Sequence, residues 1–320
     1  MATLSLDFSP VSRTGSAKVP KPLTAIGQVS FEGPHSFVAS RYYYSHRSAV
    51  FRGEIRADKP DAQPEEVVCK YREEDVFELE REANFYQNNL RELQGVVVPH
   101  FHGLYKGSRV DDDDEERTVV CLILEYFPAD RSVPYWKRPL ETKEDVAYSM
   151  LELHFAGLNH NNFDDDHILV SERGEVRIID FDQATAHTCN AKDDINVWGS
   201  EQSEVKFGCI EMCEVIKLLE LWTPVFVPLQ GTEFWVFSYP TPDLLVERYV
   251  SRMGTQRDPA FEERLRQEAK EVLDEYYAKY ADRFKNIGHP VDIKKKVDER
   301  RQQRFEKERQ RLQVAGESSA

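Results

Sequence analysis

The stretch from Leu151 to Ala184 constrains the fold more than any other part of the chain. It opens with an apolar helix end (Leu151, Leu153, Phe155) that stops at Gly157, the residue type that most readily leaves a helix. A polar loop follows, carrying His160 and then Asp164 to His167. Ile168-Leu169-Val170 reads as a short strand, turned by Glu172-Arg173-Gly174-Glu175 into a second, Val176 to Ile179, with Asp180 at its tip. Helix, polar loop, hairpin and terminal acid, in that order, build a pocket floor with one carboxylate aimed into it.

The segments before it read mainly as strands. Residues 1–20, rich in Ser, Thr, Pro and Lys, are expected to be disordered. Phe37 to Ile55 alternates apolar and polar residues and suggests two antiparallel strands. Val67 to Tyr71 is a β-branched strand carrying Lys70 near its end. From Glu73 to Leu93, Val76, Leu79, Ala83, Tyr86, Leu90 and Leu93 recur at helical spacing, and Gly95 stops them. Val96 to Val98 and Gly103 to Tyr105 suggest a further strand pair, and Thr118 to Tyr126 another strand beyond an acidic loop tip, Asp111 to Glu116. The rest reads mostly as helix. Lys143 to Phe155 and Glu211 to Trp222 are two segments, and Asp258-Pro259 is an N-cap and first-turn pair opening a long third. From Lys294 to Arg311, nine basic residues stand against four acidic ones, the pattern of a solvated helical tail.

Charge and cysteine usage exclude several function classes. A net charge of −15 argues against generic binding to nucleic acid or anionic membrane. The longest clean apolar run, Val119 to Leu124, is far too short to span a bilayer, and the first residues carry no secretory pattern. Five cysteines are an odd number, and Cys69 and Cys121 lie inside strand-like runs. Reduced, buried thiols in an intracellular protein, cytoplasmic or nuclear, are the expectation.

Three positions make a chemical constellation. Phosphoryl transfer from ATP depends on neutralising and positioning charge: a lysine meets the phosphates, a helix acid holds the lysine, and a further acid holds the metal. Lys70, Glu82 (with Glu78 one turn earlier as the other choice) and Asp180 occur in that order. In this the chain resembles the protein-kinase-like superfamily, particularly compact fungal kinase-like domains. The resemblance covers roughly residues 30–285 and is most specific around Asp180.

It implies an α+β, two-lobe protein-kinase-like fold. Residues 21–127 would form a small, mainly β lobe with one helix, residues 128–288 a larger helical lobe, and residues 289–320 a charged tail. It also implies ATP as cofactor with Mg or Mn. Lys70 and Glu82 would contact the nucleotide side, Glu125 and Phe127 would form the hinge, and Arg47 would stand in for a glycine-rich loop that is missing between Ser45 and Ser48. Asp180 and His167 would stand at the metal positions.

The catalytic loop departs from the family pattern. Asn162 stands where the base is expected, and an amide has no basic lone pair at neutral pH. Asp164 is the substitute on offer from the acidic loop. His167 replaces an asparagine, and imidazole suits zinc, manganese or iron better than magnesium. The motif Asp180-Phe181-Asp182 has an acid where the family has glycine. A pseudokinase or regulatory nucleotide-binding module, with a protein partner or substrate, is therefore the leading expectation. An active phosphotransferase with a non-standard loop and a non-catalytic interaction protein are the alternatives. His187-x-Cys189 and Cys209-x-x-x-Cys213 offer zinc-ligand types as well, although Cys-x-x-x-Cys in an apolar helix more often packs.

Overall fold

A computed structural model describes residues 2–11, 21–43, 48–59, 61–111, 113–191, 195–254, 258–284 and 293–317. The chain divides into two compact units, Met1–Cys189 and Asn190–Ala320.

The first unit is built on seven strands: β1 (Thr3–Asp7), β2 (Leu23–Ile26), β3 (Pro34–Tyr43), β4 (Ala49–Ala57), β5 (Glu65–Glu73), then helix α1 (Phe77–Gln87), β6 (Phe101–Val110) and β7 (Glu116–Glu125). They close into a barrel in the order β1-β2-β6-β7-β5-β4-β3, with β3 returning to pair in parallel with β1. This corrects the expected two-lobe kinase-like fold. The observed architecture is a closed seven-stranded barrel with seven α-helices among the described residues. The physical reason lies in β1 and β2. Leu4 and Leu6 alternate into the barrel, and β1 bridges β2 (Leu4 opposite Leu23) to β3 (Leu6 opposite Phe37). With both edges paired, no open edge remains. Thr3–Asp7 is therefore a strand where disorder was expected; residues 12–20 lie outside those described.

Alternation builds the barrel core. Phe37 and Ala39, Val67, Cys69 and Tyr71, and Val119, Cys121 and Ile123 all join Leu4, Leu6 and Leu23 there. The Cys69 and Cys121 sulfurs are 2.8 Å apart as free thiols, and burial pushes the Cys121 thiol well up. The opposite face of β7, with Val120, Leu122 and Leu124, is buried too. A strand buried on both faces explains the unbroken apolar run, and α1 packs against β6 and β7 from outside the barrel.

After the barrel come α2 (Leu140–Phe155), β8 (Leu158–Asn159), the hairpin β9 (Ile168–Val170) and β10 (Val176–Ile178), and β11 (Thr185–Ala186), which pairs with β8. The expected strand at Val96–Val98 is a turn instead, with Val97 and Val98 buried and Val96 exposed. Its carbonyls are taken from across the fold: Ile178 N donates to Val97 O at 2.8 Å and Arg177 Nη1 to Val96 O at 2.9 Å. These bonds fix the hairpin that carries Asp180.

The second unit holds α3 (Glu204–Phe207), α4 (Ile210–Leu218), the hairpin β12 (Phe226–Leu229) and β13 (Thr232–Trp235), α5 (Pro242–Met253), α6 (Pro259–Phe284) and α7 (Ile293–Glu317). Leu265, Ala269, Leu273, Tyr276 and Tyr280 of α6 form one core with Val227, Leu229 and Phe234 of the hairpin and Leu245 and Val246 of α5. Asp258 caps α6 through Ala260 N at 3.0 Å, as its sequence signal indicates. Cys213 is buried in α4, and burial pushes its thiol up to about 11, the behaviour of a packing residue.

Candidate functional site

Period-two geometry decides where Lys70 points. Cys69 and Tyr71 face the barrel interior, so Lys70 between them faces outward, the side on which α1 lies. There its Nζ donates to Glu82 Oε2 at 2.6 Å and to Asp180 Oδ1 at 2.7 Å. Of the two helix acids, Glu82 is the partner. Glu78 pairs instead with Arg72 at 2.6 Å. Glu82 is fully buried and also accepts from Phe181 N at 3.4 Å, which ties α1 to the Asp180 segment.

Asp180 has φ +72°, a left-handed conformation that an aspartate tolerates at a cost of about 1–2 kcal/mol. The conformation is held from several sides. Ile179 N donates to His167 O at 3.0 Å, and His160 Nε2 lies 3.0 Å from Ile179 O. Phe181 packs edge-on against Tyr86 and His160, at centroid distances of 5.6 and 5.1 Å. Arg81 of α1 donates to the Asp182 carbonyl.

Both oxygens of Asp180 are occupied. Oδ1 accepts from Lys70, and Oδ2 lies 3.1 Å from His167 Nε2. The far nitrogen of His167, Nδ1, is 2.8 Å from Asn162 O and 3.3 Å from Asp164 Oδ1. The side chains thus alternate in charge as Asp164, His167, Asp180, Lys70, Glu82. Three carboxylates face Lys70 and, when it is protonated, His167.

Each pKa follows from that arrangement. Burial pulls Lys70 down, but the charges of Glu82 and Asp180 outweigh it and hold the ammonium firmly protonated. Burial pushes Asp180 up, but Lys70 and His167 together hold it well below the usual carboxylate range. Burial pushes the Glu82 carboxyl up, with Lys70 opposing. His167 is drawn down by burial and raised more by its bonds to Asp180 and the Asn162 carbonyl and by the nearby acids, to about 8.

The remaining sequence-derived positions separate. Asn162 contributes its backbone carbonyl to His167. Asp164 caps the turn Asp165–His167 by accepting from Asp166 N at 2.9 Å, and sits one residue removed from the Asp180 contact, behind His167. Asp165 accepts from Tyr135 N at 2.8 Å, and exposed Asp166 lies 3.4 Å from Arg131. Glu125, at the end of β7, accepts from His100 N at 3.0 Å, and the Arg177 guanidinium lies 4.8 Å from the centre of the Phe127 ring. Arg47 lies outside the described residues. Two contributors escaped sequence reasoning. Tyr86 follows Glu82 by one helical turn, and that spacing was the available signal. Arg81 acts through a backbone carbonyl and leaves no signal.

A divalent cation fits this donor set by exchange. Asp180 offers hard carboxylate oxygen, and His167, once neutral, offers an imidazole nitrogen beside it. The cation would take the place of a proton on His167. No protein-family model matches the chain, and a search of curated proteins finds no match.

Proposed function

We propose that the first unit is a regulatory nucleotide-binding module of kinase-like site chemistry, in which phosphotransfer is impaired. The reading rests on the site and not on the scaffold. The observation that carries it is the Asp180 carboxylate, held between Lys70 and His167. A buried lysine tethered by a buried acid supplies fixed positive charge for phosphate oxygens, and Asp180 with His167 supplies the metal side. Impairment follows from Asn162, whose amide cannot accept a hydroxyl proton. Asp164 does not replace it in this arrangement, because its carboxylate is engaged by the Asp166 N–H and His167.

Thermal unfolding with ATP, with and without Mg²⁺ or Mn²⁺, tests the proposal. Ligand at a hundred times its dissociation constant stabilises the native state by about 2.7 kcal/mol, well within detection. The expected result is a metal-dependent stabilisation that Asp180→Ala removes. No stabilisation with either metal would overturn it. Asn162→Asp should raise phosphotransfer if the missing base is the principal defect. An unchanged rate in a variant that still binds ATP would place the defect elsewhere.

A further inference from the structure

A second constellation, separate from the Lys70–Asp180 network, lies where α2 ends. His154 is in the last turn of α2 and buried, while His187 and Cys189 follow β11 and are half-buried. One ligand atom from each, an imidazole nitrogen or the sulfur, lies within 4.8 Å of the others. The two imidazole rings stand edge to face, with centroids 5.0 Å apart and planes at 81°.

The backbone that brings them together is well braced. Gly157 leaves α2 with φ +88°, and the chain turns at once into β8. β11 pairs antiparallel with β8, Ala186 opposite Leu158, and the ladder continues as His187 N donates to Gly157 O at 2.8 Å. His187 is thereby set opposite a residue three positions beyond His154. The side chain of Asn161 reinforces the pairing by donating to Gln183 O at 3.0 Å and Thr185 Oγ1 at 2.9 Å. Asn89 Nδ2 donates to Ala156 O at 2.8 Å and holds the helix end from the α1 side.

We propose that His154, His187 and Cys189 form a zinc site. Two imidazoles and a thiolate are borderline and soft donors, which select zinc over magnesium or calcium. In a tetrahedral zinc centre, Zn–N and Zn–S bonds imply donor separations of about 3.3–3.8 Å. The 4.8 Å limit is close enough that modest side-chain movement closes the site. The negative end of the α2 dipole lies beside His154 and favours a cation there. Three protein donors leave a fourth position for water or a further donor. Binding releases the thiol proton of Cys189 and involves no redox change. Because β11 begins five residues after Asp180, the zinc would clip the segment leaving that acid to the end of α2. This site goes beyond the proposed nucleotide-binding function and does not depend on it.

The test uses the full chain expressed with supplemented zinc. Metal analysis should find about one zinc per chain, and X-ray absorption should show imidazole nitrogen and at least one sulfur around it. Replacing zinc with Co²⁺ should give a thiolate-to-cobalt charge-transfer band. His187→Gln combined with Cys189→Ser should reduce the metal content at least about tenfold, while Cys213→Ala leaves it unchanged. Circular dichroism verifies that each variant is folded. The wild-type measurements are decisive even if a variant fails to fold: chelation should lower the melting temperature and added zinc should restore it. A chain purified without zinc that gives no cobalt–thiolate band on reconstitution would overturn the proposal. So would zinc retained in full by the folded double variant.

Discussion

The two faces of β5 carry different physics on one strand. Inward, Cys69 and Tyr71 belong to an apolar barrel core, where shape and volume matter. Outward, Lys70 enters a chain of alternating charges reaching from Glu82 to Asp164. The inner face holds the barrel together through many small, replaceable contacts. The outer face is all-or-none, because removing one member leaves another charge buried without its partner. Structure and chemistry are thus separated by a single residue of register.

The largest effect should come from the outer face. Lys70→Met keeps most of the aliphatic side chain but removes the cation between Glu82 and Asp180, leaving buried Glu82 without its Lys70 partner. It should destabilise the chain by about 3–5 kcal/mol in urea unfolding. A loss under about 1 kcal/mol would mean that the network is not the buried unit described here.

Next is His167. Its pKa is raised in the folded state from an ordinary value near 6.5 to about 8. Its contribution, about 2 kcal/mol for such a shift, is therefore fully present below about pH 6.5 and lost as the pH rises through 8. His167→Gln should lower stability at acidic to neutral pH and change little above about pH 9. Equal losses at both ends would point to packing and not to charge.

Smaller effects belong to the barrel interior and the surface. Ile123 lies opposite Cys69 on the inner face, and Ile123→Val should cost about 1 kcal/mol without altering nucleotide binding. A change in affinity there would break the separation between the two faces. Arg52 pairs with Glu66 at 3.0 Å on the surface, and Arg52→Ala should cost less than about 1 kcal/mol and vanish in high salt.

Much of the site was legible from local pattern alone. A β-branched strand ending near Lys70, a helix with Glu82 on its inner stripe and a hairpin delivering Asp180 all carry their signals within a few residues. What escaped reading depends on partners distant in sequence. Thr3–Asp7 has only Leu4 and Leu6 as inward residues among polar neighbours, and it becomes a strand because β2 and β3 flank it. Without it the closed barrel could not be inferred. Val96 to Val98 looks like a strand because three β-branched residues in a row favour one, and the turn they form is held by Arg177, some eighty residues later, through the Val96 carbonyl. The short hairpin β12–β13 falls in the part of the chain expected to be mostly helix, where Pro224, Pro228 and Gly231 interrupt the apolar run. His167 was legible as a site residue by position. Its clasp on Asp180 required three-dimensional geometry.

The most direct test of that clasp is the affinity of metal–ATP measured calorimetrically between about pH 6.5 and 9, in the wild-type chain and in His167→Gln. Protonated His167 competes with the cation for Asp180, so affinity in the wild type should rise as the pH passes through about 8. The variant, free of that proton, should show a distinctly flatter profile, which also corrects for titration of the nucleotide itself. Parallel profiles in the two proteins, or tighter wild-type binding at low pH, would contradict the account.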